Sequence, residues 1–190
     1  YAEEGDRFGW PAATPSMFGA RSGGKGVLLD IGAHVFDLLV WWFGPELVLE
    51  EYRDDSFGGS EAAAHARIRT GSTIIHVRLS WLAKQANEYR FDGSQSGLDW
   101  AVYDLDRVRR RAPGEVEGRE VRLSGAPKSF AGLAPQVLED FLGAVEQGRA
   151  PAVTPADVLP SMRLIEACYA SRERFEMPWH AFTGESRDVG

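Results

Sequence analysis

The chain has very little cysteine. A single residue, Cys168, in 190 cannot close an intrachain disulfide, so nothing calls for an oxidising compartment and a cytoplasmic location is expected. Basic charge is scarce as well. Lys and Arg number 21 against 28 Asp and Glu, a formal net charge of -7, which leaves no cation excess to neutralise a nucleic-acid backbone. The one basic run, RVRRR at 107 to 111, is flanked by Asp104 and Asp106 and reads as a solvated strand end or turn. Long apolar runs are absent too: the longest, Val27 to Phe43, is broken by Asp30, His34 and Asp37, too polar a pattern for a membrane span. Neither an initiator methionine nor a secretory leader stands at Tyr1, and the chain is expected to be a piece of something longer.

What is present is an ordinary globular composition, with 44% hydrophobic, 26% charged and 11% aromatic residues, enough to bury a core; one domain is the default. Residues 1 to 26 hold Pro11, Pro15 and scattered glycines without periodic apolar positions, and read as irregular. From Leu29 to Phe43, apolar Leu29, Ala33, Phe36, Val40 and Phe43 recur at helical steps before Gly44-Pro45, which predicts a helix. Runs rich in β-formers follow at 47–53, 61–69, 73–83, 87–93 and 98–104, with 119–124 as a sixth candidate, punctuated by glycine-containing turns. They predict an antiparallel meander of five to six strands. Ile75, Val77, Leu79 and Trp81 alternate with His76, Arg78 and Ser80, and His65, Arg67 and Arg69 repeat the polar face one strand earlier. That face suits solvent or a subunit interface. The last third predicts two helices. One carries Leu138, Phe141, Leu142 and Val145 on one side, with Pro135 in its first turn and Gly148 at its end. The other is capped by Thr154-Pro155-Ala156-Asp157, with Pro160 implying a kink or a later start.

The stretch SGGKGVLLDIGAH, residues 22 to 34, concentrates the chemistry. Gly19, Gly24 and Lys25 fit part of a phosphate loop, but Gly26 stands where Ser or Thr should hold magnesium and no apolar strand precedes. A dinucleotide fingerprint fails because Leu29 replaces its third glycine. Asp30 and His34, four apart on one helical face, offer two metal ligands, yet neither His65 nor His76 has an Asp, Glu or Cys at ligand spacing beside it. A plain structural reading makes Asp30 a helix cap and His34 a satisfied core histidine. Against it, Asp30, His34, Asp37 and Trp41 form one polar stripe on an otherwise apolar helix, an arrangement that is costly unless the stripe faces a cleft or a partner.

GKGVLLDIGAHVFDLLVWWFG resembles the glycine-rich segment, D-x-G-x-H signature and first helix of the C-terminal domain of the Gfo/Idh/MocA family, the glucose–fructose oxidoreductase and inositol dehydrogenase type. VLEDFLGAVEQGRAPAVTPADVLPSMRLIEACYASRERFEMPW is similar to that family's closing helices, with its G-x-x-P turn, T-P-x-D cap and terminal Y-x-S-R. The resemblance implies an α+β fold, an open-faced, mainly antiparallel sheet with helices on one face. It implies that residues 1–190 form one substrate-binding and oligomerisation domain whose dinucleotide-binding Rossmann partner lies elsewhere. The activity implied is NAD(P)-dependent oxidation or reduction of a hydroxyl or carbonyl on a sugar, cyclitol or related small molecule. His34 would exchange the hydroxyl proton, and Asp30 would hold the imidazole and bind a hydroxyl. NAD or NADP would bind the full-length protein and not this chain alone, which is expected to be inactive by itself. Partners implied are the small substrate, the chain's own Rossmann domain and a second copy through the open sheet face, with no nucleic acid and no membrane. The family's lysine of the catalytic set has no counterpart. Lys25 replaces the middle glycine of a usual Gly-Gly-Gly, either touching a charged substrate or standing solvated in its loop. The alternative is a standalone binding or oligomerisation module that lost its cofactor domain.

Overall fold

The computed structural model describes residues 26–56, 60–81, 86–113, 115, 117–127 and 130–175. A π turn, Leu28–Gly32, runs directly into helix α1, Ala33–Phe43. Eight strands follow among the described residues: β1 Val48–Asp54, β2 Ala63–Thr70, β3 Thr73–Ser80, β4 Glu88–Asp92, β5 Gly97–Ala101, β6 Arg107–Arg111, β7 Arg119–Arg122 and, after helices α2 Ala134–Gln147 and α3 Pro155–Ala170, the short β8 Glu173–Arg174. The α+β class read from the sequence holds. The strands divide between two four-stranded sheets, ordered β3-β2-β1-β8 and β4-β5-β6-β7, where the sequence suggested one meander. Pairing is antiparallel throughout except between β1 and β8, where Arg53 and Asp54 face Glu173 and Arg174 in parallel.

The core lies between the first sheet and the helices on one of its faces. Leu28, Ile31, Val35, Phe36 and Leu39 pack with Tyr52, Ala64, Ala66, Ile68, Val77 and Leu79, and Leu164, Ile165 and Cys168 of α3 close the cluster. Alternation within β2 and β3 sends Ala64, Ala66, Ile68, Val77 and Leu79 inward while Arg67, His76 and Arg78 stay exposed, as a one-sided sheet requires. Ser80, expected on the polar face, is buried at the end of β3. The inward face of α1 also differs from expectation. Leu29, Ala33 and Phe43 are only partly buried, and the packed face is offset by about one residue. Apolar side chains surround most of this helix, so periodicity alone selects no face.

Trp42 and Phe43, at the end of α1, reach the second sheet. Trp42 meets Tyr89, Phe91 and Trp100 edge-on at 5.2, 5.4 and 5.8 Å, and Phe43 stacks on Phe91 at 5.9 Å. The run RVRRR is a full strand, β6, and not a solvated turn. Arg111 is buried in it, with Nε 2.7 Å from Asp99 Oδ1 and Nη2 2.9 Å from Asp92 Oδ1. Arg107 pairs with Asp104 and Asp106, as their spacing suggested.

Both late helices end as their punctuation predicts. Gly148 adopts φ +63° past α2, a left-handed stop that favours glycine. Helix α3 starts at Pro155, with no later start, and runs through Pro160. Its N-terminus is fastened by Asp157, whose Oδ2 accepts the Thr154 N–H at 2.7 Å.

Candidate functional site

Asp30 sits in the middle of the π turn, where i→i+5 bonding widens one turn of a helix; such turns are rare and occur often at functional sites. His34 follows in the first turn of α1. Asp30, His34, Asp37 and Trp41 are all exposed, Trp41 at 79%, so the polar stripe read from the sequence does form one open side of the helix. His34 is not a core histidine. Nor does Asp30 cap the helix, since no side-chain cap bond is made there. Asp37 is the stripe's link to α3: Ser161 Oγ lies 3.4 Å from Asp37 Oδ1, while its shorter bond, 2.8 Å, goes to the Val158 carbonyl.

The helix start is instead held by a residue that sequence reasoning missed. Glu61, fully buried just before β2, accepts the Gly26 and Leu28 N–H groups on Oε1 at 2.8 and 3.1 Å. Its carbonyl takes the Val27 N–H at 2.9 Å. The Gly26 and Leu28 donors that an anion at this N-terminus would use are therefore filled by the protein's own carboxylate, while Gly19, Gly24 and Lys25 of the phosphate-loop reading lie outside the described residues. Gly26 is required by that approach, because a Cβ there would stand 2.0 Å from the Glu61 carbonyl oxygen. Gly32 has a parallel reason: its Cβ would meet Leu28 and Leu79 side chains at 2.8 and 3.0 Å. Gly26 and Gly32 thus serve close packing of the site helix.

Behind Glu61 stands a polar network. Tyr169 Oη–H donates to Glu61 Oε1 at 2.8 Å, and Arg172 reaches Glu61 Oε2 at 3.2 Å and Asp54 Oδ2 at 2.7 Å. Burial above all, then the neighbouring carboxylates, raises both the Tyr52 and the Tyr169 phenols far above their ordinary range, so both remain donors. The terminal Y-x-S-R noted in the sequence carried this signal in Tyr169 and Arg172; Glu61 and Asp54 carried none, since acids at strand ends ordinarily face water.

The remaining candidates lie apart from the stripe. Lys25 is outside the described residues. His65 and His76 stack on the outer face of the first sheet, with ring planes 6° apart and Nε2 to Nδ1 at 3.4 Å. Among the described residues no group of three or more His, Cys, Asp or Glu has metal-binding geometry, and no helix is long and apolar enough to cross a membrane. A cavity of about 280 Å³ opens on the second sheet between residues that include Asn87, Asp99, Trp100, Arg107 and Glu120, none of them from the stripe.

An exposed carboxylate and imidazole one turn apart, on a helix anchored from beneath, form a pair able to bind a hydroxyl and exchange its proton. The fold, helices on one face of a mainly antiparallel sheet beside a second sheet, is that of an α+β domain. The chain belongs to the Gfo/Idh/MocA family: the model for "Oxidoreductase family, C-terminal alpha/beta domain" matches residues 6–176. No curated protein sequence matches it. Among solved structures it is similar to KijD10, a 3-ketoreductase from Actinomadura kijaniata in complex with NADP and TDP-benzene, at 18% identity and TM-score 0.64, covering 80% of this chain and 47% of that one. It is also similar to aldose-aldose oxidoreductase from Caulobacter crescentus complexed with glycerol, at 21% identity and TM-score 0.63, covering 84% and 48%. An oxidoreductase from Agrobacterium radiobacter in complex with NAD+, L-tartaric acid and magnesium matches at 17% identity and TM-score 0.59, covering 78% and 47%. At these identities the likeness is one of fold, and the chain spans about half the length of each neighbour.

Proposed function

We propose that the chain is the substrate-binding and oligomerisation half of an NAD(P)-dependent oxidoreductase acting on a hydroxyl or carbonyl of a sugar, cyclitol or related small molecule. The observation that carries this reading is the exposed Asp30, on the π turn, with the exposed His34 in the first turn of α1, in a chain of this family. In the oxidative direction, His34 takes the proton of the substrate hydroxyl, and in reduction returns it to the nascent alkoxide. Asp30, one turn before it, accepts a hydrogen bond from a substrate hydroxyl. A nicotinamide held by the full-length protein would supply the hydride chemistry. The sequence completes neither a phosphate loop nor a dinucleotide fingerprint, and the Gly26 and Leu28 N–H groups at the start of the site helix are bonded to Glu61, which supports a separate Rossmann domain as the holder of the cofactor.

Helix α2 supports a partner domain. Val137, Leu138, Phe141, Leu142 and Val145 are each more than half exposed on one side of it, a contiguous apolar stripe of the kind that marks an interaction surface. The half-length coverage of the neighbours leaves room for a domain to cover it. Fluorescence titration tests the division of labour: the 190-residue chain is expected to show no saturable NAD(P)H binding, and tight binding would overturn it. The encoding frame gives a second check. An upstream strand, G-x-G-x-x-G and helix over about 120 residues agrees with the enzyme; a frame opening at Tyr1 favours the standalone binding module.

A further inference from the structure

The Asp30–His34 chemistry leaves a buried constellation directly behind the site helix without a task. Asp54 and Glu61 are both fully buried, and a single guanidinium, Arg172, bridges them. Among the described residues two carboxylates meet one guanidinium here, and buried carboxylates are unfavourable unless further donors meet them. The donors present are specific. Tyr52 Oη–H and the Ser56 N–H each bond Asp54 at 3.0 Å, Tyr169 bonds Glu61, and the Gly26 and Leu28 amides complete the Glu61 shell. The Arg172 guanidinium also lies 4.9 Å from the centre of the Tyr169 ring.

Apolar side chains of equal volume would join these elements at least as firmly as a buried ionic network does. They would not fix direction. Charge-assisted bonds are short and oriented, and here they end on amides immediately ahead of Asp30, while the Glu61 carbonyl holds the amide between them. A negative carboxylate at this N-terminus also suits the helix dipole. The geometry points to Glu61 as a positioning residue for Asp30 and His34, itself oriented by Tyr169 and Arg172 from the end of α3. The turnover part of this inference rests on the acid/base reading above; the geometric part does not.

Two measurements separate the parts. In the 190-residue chain, Glu61→Gln keeps the size and one acceptor oxygen but removes the charge that meets Arg172. Amide hydrogen exchange at residues 26–34 is expected to accelerate about tenfold or more, while β4 and β5 exchange unchanged. Tyr169→Phe, which removes only a hydroxyl, is expected to act in the same direction, and it carries the test where Glu61→Gln does not fold. Unchanged exchange at 26–34, or acceleration spread evenly over the chain, overturns the inference. In the enzyme that includes the cofactor domain, the same variants are expected to lower kcat about tenfold with KM within about twofold. If His34→Ala abolishes turnover while Glu61→Gln alters neither exchange nor kcat, positioning fails alone. If exchange changes as expected but His34→Ala leaves turnover intact, positioning stands and the acid/base reading fails.

Discussion

Gly26 lies so close to Glu61 that a Cβ on it would sit 2.0 Å from the Glu61 carbonyl oxygen, with the Glu61 main chain as the obstacle. Gly26→Ala must therefore push the site helix off the first sheet, at an expected cost of about 2–4 kcal/mol in urea unfolding. Gly32→Ala meets only the movable ends of Leu28 and Leu79 and is expected to cost about 1 kcal/mol. Equal effects at the two glycines would contradict this account of the helix start.

In the enzyme carrying its cofactor domain, His34→Ala is expected to lower kcat by about 10² or more, the ordinary contribution of a positioned acid or base. Steady-state kinetics at saturating substrate decide it. An unchanged kcat assigns the proton to another group.

Burial, then the nearby His76 and Arg78, lowers the proton affinity of His65 below its ordinary value. An unfolded histidine takes up its proton near pH 6.5, before the folded one does, so the unfolded state binds more protons in the window just below that pH. Stability is therefore expected to fall as pH drops below about 6.5, until the folded imidazole is protonated as well. Thermal melts between pH 7.5 and 5 should show a shallower decline for His65→Gln than for the wild type. Parallel curves would mean that His65 is not the group concerned.

Cys168 is fully buried, and burial pushes its thiol up to about 12. A neutral thiol without solvent access is a poor nucleophile. Ellman's reagent at pH 8 is expected to leave the native chain unmodified and to titrate one thiol after denaturation. Rapid native labelling would show that α3 opens readily.

Phe141 is 56% exposed on the apolar side of α2. In the chain alone, Phe141→Glu is expected to change stability by no more than about 0.5 kcal/mol and to reduce binding of an apolar dye. A large drop in Tm would mean that the face already packs against part of this chain. In the longer enzyme the same change is expected to weaken contact between the domains.

Much of this architecture is legible along the chain because it is written in local punctuation. Gly44, Gly148 and the Thr154–Asp157 box mark helix ends through backbone preference and short-range hydrogen bonds, and β2 and β3 show their inward face by alternation. The polar stripe was legible for the same reason: Asp30, His34 and Asp37 interrupt an apolar helix at helical steps, and all three face outward. The packed face of α1 was not, since a helix apolar on most sides presents several faces of similar hydrophobicity. The strand at Arg107–Arg111 was hidden by its charge. Arg111 is buried because Asp99 on the adjacent β5 and Asp92 on β4, one strand further, meet it and Gly97 leaves room for its guanidinium.

The sequence by itself determined the class of fold, the helix ends and the polar stripe that faces outward from the site helix, because each depends on residues a few positions apart. Only the tertiary structure decided what anchors that helix. The carboxylate that caps it comes from a residue 35 positions beyond Gly26, and its cation from one 111 positions further on. No local pattern reports such bonds, since they exist only once β2, α3 and the π turn have been brought together and water has been excluded from between them.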